Sequence, residues 1–178
     1  MALKNTTETY GWLAKLLHWS VALLLVAMVI VGLIVSDMEP GPDKQQLEGI
    51  HISVGLLLLV LLTLRLGWKL LNPSPADPAE APGWQKTAAH LTHSGLYAAI
   101  YYQIALGIIG EGQRPIAFFG IFEFGPLVAR NREQHELMEK LHSWGWIIIA
   151  VLAGVHVLAA LYHHFIQKDN VLRRMTTG

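Results

Sequence analysis

The chain alternates long apolar stretches with short polar ones. Positions 16–36, 49–64, 87–110 and 141–167 carry no Asp, Glu, Lys or Arg over 21, 16, 24 and 27 residues respectively. The second stretch continues beyond Arg65 as Leu66-Gly67-Trp68-Lys69-Leu70-Leu71. About 20 apolar residues in a helix cross a hydrocarbon core of roughly 30 Å. Stretches this uniformly apolar have no polar face to offer water, so they do not read as surface helices of a soluble domain. The pattern predicts an all-α fold: a four-helix transmembrane bundle with spans near 12–36, 47–71, 87–110 and 138–166, in a single membrane domain over 1–178. All eight prolines (40, 42, 73, 75, 78, 82, 115 and 126) fall between the stretches, where a missing backbone N–H does no harm. Residues 72–83 hold four of them and read as an extended linker. The first stretch is too long for a cleaved leader and is followed by no small-x-small site.

Composition sharpens this picture. Hydrophobic residues are 53% of the chain and charged residues 15%, against about 25% charged in an ordinary soluble domain. Thirteen Lys+Arg balance thirteen Asp+Glu, which excludes a nucleic-acid binder relying on basic excess. The absence of cysteine excludes disulfides, iron–sulfur clusters, zinc–thiolate sites and covalently attached c-type haem. With four spans, both termini share one side. That side holds Lys4, Lys15, Arg65, Lys69, Lys86, Lys168, Arg173 and Arg174, against Lys44, Arg114, Arg130, Arg132 and Lys140 opposite. The positive-inside bias places both termini in the cytoplasm. All six tryptophans lie near span ends, as an interfacial belt requires.

The histidines sort by depth and face. His142 and His156 are 14 residues apart on the fourth span, hence within about 40° of one face and about 21 Å apart along the axis. His51 begins the second span on the outer side, and His18 begins the first on the inner side. Matching depth pairs His51 with His142 and His18 with His156, each pair from two antiparallel helices. Bundle interiors build cofactor sites from such facing side chains. Two imidazoles across a gap, without thiolates or a carboxylate cluster, suit bis-axial ligation of a b-type haem iron, whereas zinc would want more protein ligands at each site. Glycines 55, 145 and 154 lie within a turn of these histidines and would let a flat porphyrin approach the backbone. Arg65, 14 residues after His51, falls at the depth of His156, where a cation would pair a haem propionate or polarise a quinone.

The segments Leu17-His18-Trp19, Gly49-Ile50-His51-Ile52-Ser53-Val54-Gly55 with Leu64-Arg65-Leu66, and Ala89-His90-Leu91-Thr92-His93 resemble the bacterial cytochrome b561 family. So do Leu141-His142-Ser143-Trp144, Gly154-Val155-His156 and His163-His164-Phe165, with the closing Lys168-Asp169-Asn170-Val171-Leu172-Arg173-Arg174-Met175. The resemblance implies two non-covalent b haems in the bacterial cytoplasmic (inner) membrane, with His18, His51, His142 and His156 as axial ligands. It implies electron exchange with the quinone pool, with ubiquinone as acceptor. Short members include one that looks like a superoxide oxidase, so superoxide or another small one-electron donor is expected on the outer side. By the same resemblance, His93 and His163 are the candidates for the quinone site. An anchor role, passing electrons between quinone and a hydrogenase- or dehydrogenase-like redox protein, is the alternative.

The outer loops bear on that choice. Asp37, Glu39, Asp43 and Glu48 outnumber Lys44 in the first, and the second mixes both signs. A superoxide oxidase gains from a positive mouth, and counting charges does not display one. Residues 115–125 are aromatic and apolar. They are expected to lie on or dip into the outer membrane surface, or to dock a partner.

Overall fold

The computed structural model describes residues 2–77 and 81–177. Four long helices dominate: α1 (Trp12–Asp37), α2 (Pro42–Leu71), α3 (Gly83–Glu111) and α4 (Arg132–Tyr162). A two-stranded antiparallel hairpin, β1 (Ile116–Phe118) with β2 (Phe122–Phe124), separates α3 from α4. One π-helical turn, His163–Gln167, follows α4 and leads to the short α5 (Val171–Met175).

Local chemistry sets these boundaries. Pro42 opens α2 at the first helical position, where no backbone donor is needed. Asn131 caps α4, its Oδ1 accepting from the Gln134 N–H at 3.0 Å. At Gly11 a Cβ would collide with the Leu3 backbone, so the entry into α1 needs a glycine. The described prolines lie outside helix interiors; Pro78 falls in 78–80, outside the described residues.

The helices present apolar side chains outward. Leu23, Leu158 and Val26 are 69%, 67% and 59% exposed, and α1 buries only Lys15, Leu17 and Val21. Such a surface suits lipid rather than water. Among the described residues, three helices are long and apolar enough to cross a membrane: α1, α2 and the run Arg132–Gln167. The expected fourth span lies in α3, which is long enough but not in that set. Freedom from charge is not the same as hydropathy. His90, Thr92, His93, Ser94 and Gln103 are uncharged on paper, yet they make α3 the most polar of the four stretches.

The chain forms two compact units, each assembled from separate segments. The first comprises Met1–Val21, Leu61–Ala98 and Ile149–Gly178. In it the N-terminal segment, the described part of the expected linker and the C-terminus are tied together. Asn5 Nδ2 donates to the Pro73 carbonyl at 3.0 Å, the Ala76 N–H to Thr7 O at 3.0 Å, and Trp19 Nε1 to Met175 O at 3.0 Å. Residues 72–77 are therefore pinned rather than free. Burial pushes the Tyr10 phenol above its ordinary pKa, against the pull of Arg65 and Arg174.

The second unit comprises Ala22–Val60 and Ala99–Ile148. Its hairpin is held to α2 by Ser53, which is 1% exposed. Ser53 Oγ donates to Gly49 O at 2.8 Å and accepts the Phe119 N–H at 2.9 Å. Phe119 has φ 49° and Gly120 φ 70°; a left-handed conformation at a phenylalanine costs about 1–2 kcal/mol. The serine compensates by satisfying the amide of that residue. Ser53→Ala is expected to leave the part-buried Phe119 N–H without its acceptor, a loss of about 1 kcal/mol. Faster amide exchange at Phe119 and along the hairpin would show it; unchanged exchange would refute the anchoring role.

Candidate functional site

In the first unit His18 on α1 faces His156 on α4, with ring centres 6.2 Å apart and planes at 69°. His93 on α3 packs against His156, centre to centre 5.1 Å. Arg65 reaches this group from α2. Its Nη2 donates to His18 Nδ1 at 2.9 Å and its Nη1 to the Tyr97 hydroxyl at 2.5 Å. Lys69 Nζ also lies 5.4 Å from the centre of the Tyr97 ring. Lys15, three residues before His18, is buried. His163 stands apart in the π-helical turn. Its Nδ1 pairs with the Asp169 carboxylate at 2.5 Å, and the other carboxylate oxygen accepts the Val171 N–H at 2.9 Å. Among the described residues no hydrogen bond or ring contact joins His93 to His163, the two expected quinone-site residues.

In the second unit His51 on α2 faces His142 on α4, with ring centres 6.1 Å apart and planes at 80°. His142 Nδ1 lies 2.9 Å from the Gln103 carbonyl. A carbonyl only accepts, so the proton sits on Nδ1 and the Nε2 lone pair is free. The Gln103 side chain returns a bond, Nε2 donating to His142 O at 2.7 Å. His51 Nδ1 is buried with no partner among the described residues.

The glycines beside these rings differ from those expected. A Cβ at Gly32 would meet His51 Cε1 at 3.3 Å, and one at Gly107 would meet His142 Cε1 at 3.3 Å. Gly55 instead faces Met28, Gly145 accommodates Gln103, and Gly154 has nothing within 4 Å. Gly32 and Gly107 lie on helices other than the histidines they border, so proximity in sequence pointed to the wrong positions. Gln103 had a readable signal, as the sole amide in 87–110.

A cavity of about 300 Å³ in the second unit is lined by Gly110, Gln113, Arg114, Arg130, Arg132 and His135. His135 Nδ1 contacts Gly110 O at 2.9 Å, seven residues from His142 on α4 and seven from Gln103 on α3. His135 thus lies on nearly the same face of α4 as His142, about 10 Å along the helix. Arg114 pairs with Glu111 and Arg132 with Glu136, while Arg130 makes no ion pair or hydrogen bond among the described residues. Arginines from separate parts of the second loop converge on one opening.

The residues present would suit a b-type haem: each pair offers two imidazole donors on facing helices, with ring centres 6.2 Å apart for His18 and His156 and 6.1 Å apart for His51 and His142. Among the described residues no group of three or more His, Cys, Asp or Glu could hold a metal ion. The His142 tautomer leaves Nε2 unprotonated, as a metal donor would have to be. At His18 the Arg65 guanidinium occupies Nδ1; were Nε2 to hold a metal with the proton on Nδ1, the guanidinium would be free to pair an anionic group such as a propionate.

The sequence model of prokaryotic cytochrome b561 matches residues 9–178. The chain belongs to this family. It is similar to cytochrome b561 homolog 2 of Escherichia coli K12, 32% identical over 183 residues, covering 98% of this chain and 95% of that protein. It is 30% identical over 173 residues to the probable superoxide oxidase CybB of Yersinia pestis, covering 94% and 96% of the two chains. Cytochrome b562 of Cereibacter sphaeroides is 32% identical over 177 residues, covering 93% and 94%. As a cytochrome b561 the chain is a bacterial membrane protein that binds haem b and serves electron transfer.

Proposed function

We propose that this cytochrome b561 is a superoxide oxidase of the bacterial inner membrane, carrying electrons from superoxide on the outer side to ubiquinone on the cytoplasmic side. The observation that carries the reading is the pair of imidazole sites, 6.1 and 6.2 Å between ring centres, one in each unit. In this reading the protein is one membrane domain of four spans with α3 included and both termini cytoplasmic. His51 with His142, and His18 with His156, hold two non-covalent b haems. When bound, these supply one-electron redox chemistry at coordinatively saturated iron. The reaction takes two superoxide ions, one ubiquinone and two protons to two dioxygen molecules and one ubiquinol.

The chain's own residues supply the rest. Arg114, Arg130 and Arg132 attract the anionic donor to the cavity beside His135. Arg65 holds the propionate edge of the inner haem. His163, with Nδ1 tied to Asp169, keeps Nε2 available to pass a proton to a quinone oxygen. His93 borders the same end of the bundle. The curated relative named a probable superoxide oxidase supports the donor assignment.

Purified, haem-loaded protein should be reduced rapidly by superoxide and reoxidised by ubiquinone. Slow, non-saturating reduction would sink the assignment. Asp169→Asn should slow quinone-dependent reoxidation by about tenfold or more, given what positioned proton transfer contributes, with haem content and superoxide reduction unchanged. Equal rates in variant and wild type would remove His163 from the proton path. The exposed hairpin tip, with Phe119, Ile121 and Phe122 47%, 76% and 55% exposed, favours the second reading, an anchor for a redox partner. A stoichiometric redox protein co-purifying with the chain would favour that role.

A further inference from the structure

Gln103 and His142 exchange more than a pair of hydrogen bonds. The His142 ring enters a notch left on α3 by Gly107, where a Cβ would stand 3.3 Å from Cε1 and 3.5 Å from Nδ1. In return the Gln103 amide enters a notch left on α4 by Gly145, where a Cβ would overlap its oxygen. The ring donates to the Gln103 carbonyl at 2.9 Å, and the amide donates to the His142 carbonyl at 2.7 Å. Gln103 Oε1 is buried with no partner among the described residues. A buried unsatisfied acceptor is destabilising, so a leucine of similar size would serve simple packing better.

We propose that Gln103 is the positioning residue of the His51/His142 site, locking the orientation and tautomer of His142 so that it is the firmly held ligand and His51 the yielding one. The contrast within the pair is plain. His142 is fixed by the bond at Nδ1 and by the returned amide bond on its own carbonyl. The His51 ring has no hydrogen bond at Nδ1 among the described residues, and its edge lies on Gly32. A hydrogen bond from the far nitrogen of a ligating imidazole raises its basicity and fixes its rotation, and losing such support typically costs about 10–100-fold in affinity.

This inference rests on the two-haem reading, and its test separates the two. Wild-type protein is first assayed for two low-spin b haems by haem quantitation and electron paramagnetic resonance; failure there overturns the reading itself. Gln103→Leu removes the returned bond. Gly145→Ala keeps the amide but closes its notch, and alanine favours the helix, so this variant keeps its fold. Both leave the Gln103 backbone carbonyl on His142 Nδ1 but loosen the ring's seat, so they are expected to shift the midpoint potential and resonance signature of the His51/His142 haem alone and to weaken its retention by about tenfold, the low end of what losing an outer support costs. The His18/His156 haem is expected to stay as in wild type. Unchanged potential and resonance in both variants, or equal disturbance of both haems, overturns the positioning role.

Discussion

Replacing His51 or His142 with alanine is expected to remove about half of the bound haem, and replacing His18 or His156 is expected to remove the other half, since a b haem has no covalent tether and depends on its axial ligands. The variants should fall into two pairs with the same optical and redox signature within each pair. The reason is the segregation of the rings. His51 and His142 belong wholly to one unit and His18 and His156 wholly to the other, so each deletion leaves the second donor pair intact. Haem quantitation with potentiometric titration of the four variants decides it. Loss of both haems from any one alanine variant, or pairing of His156 with His93 in place of His18, would contradict the assignment. The two pairings differ in the structure: the His93 and His156 centres lie 5.1 Å apart, against 6.2 Å for His18 and His156.

Reversing charge at Arg114 and Arg130 together, Arg114→Glu with Arg130→Glu, is expected to slow reduction by superoxide about tenfold or more, because electrostatic focusing raises encounter rates by about 10–1,000-fold. Superoxide is a small anion, and Arg130 is a guanidinium with no carboxylate engaging it among the described residues. The wild-type rate should fall as salt is added, since the Debye length shrinks from about 10 Å at 0.1 M to about 3 Å at 1 M. The variant rate should respond weakly or in the opposite sense. Ubiquinone reoxidation and haem content act as controls, because neither depends on the cavity. A wild-type rate indifferent to salt, or a variant as fast as wild type, would dissociate the arginines from substrate capture.

The sequence was most legible where one physical signal dominates. Long charge-free runs marked α1, α2 and α4, because apolarity over about 20 residues has few other uses. Helical periodicity set His142 and His156 on one face of α4, since 14 residues is close to four turns, and matching depth paired them with His51 and His18, whose rings they face. It failed where the signal crosses between helices. Gly32 and Gly107 border rings carried by α2 and α4, and nothing in a single strand of sequence announces which glycine another helix will approach. The arginine cavity was hidden for the same reason. Counting charges along the second loop gave a mixture, whereas the fold gathers Arg114, Arg130 and Arg132 and ties two of the nearby glutamates to them. Asp169 was present in the quoted closing motif, but its partnership with His163 depends on the π-helical turn, whose register a 3.6-residue period does not foresee.

The composition of α3 has a consequence for biogenesis. A helix bearing two histidines, two glutamines, three tyrosines and several hydroxyls partitions poorly into hydrocarbon by itself. In the proposed four-span topology its entry into the bilayer would depend on company: α1 and α2, made earlier on the ribosome, would have to remain nearby until α4 emerges to receive the Gln103 amide. Under that topology assembly would be a cooperative insertion rather than a series of independent ones, with the polar groups of α3 as the cause.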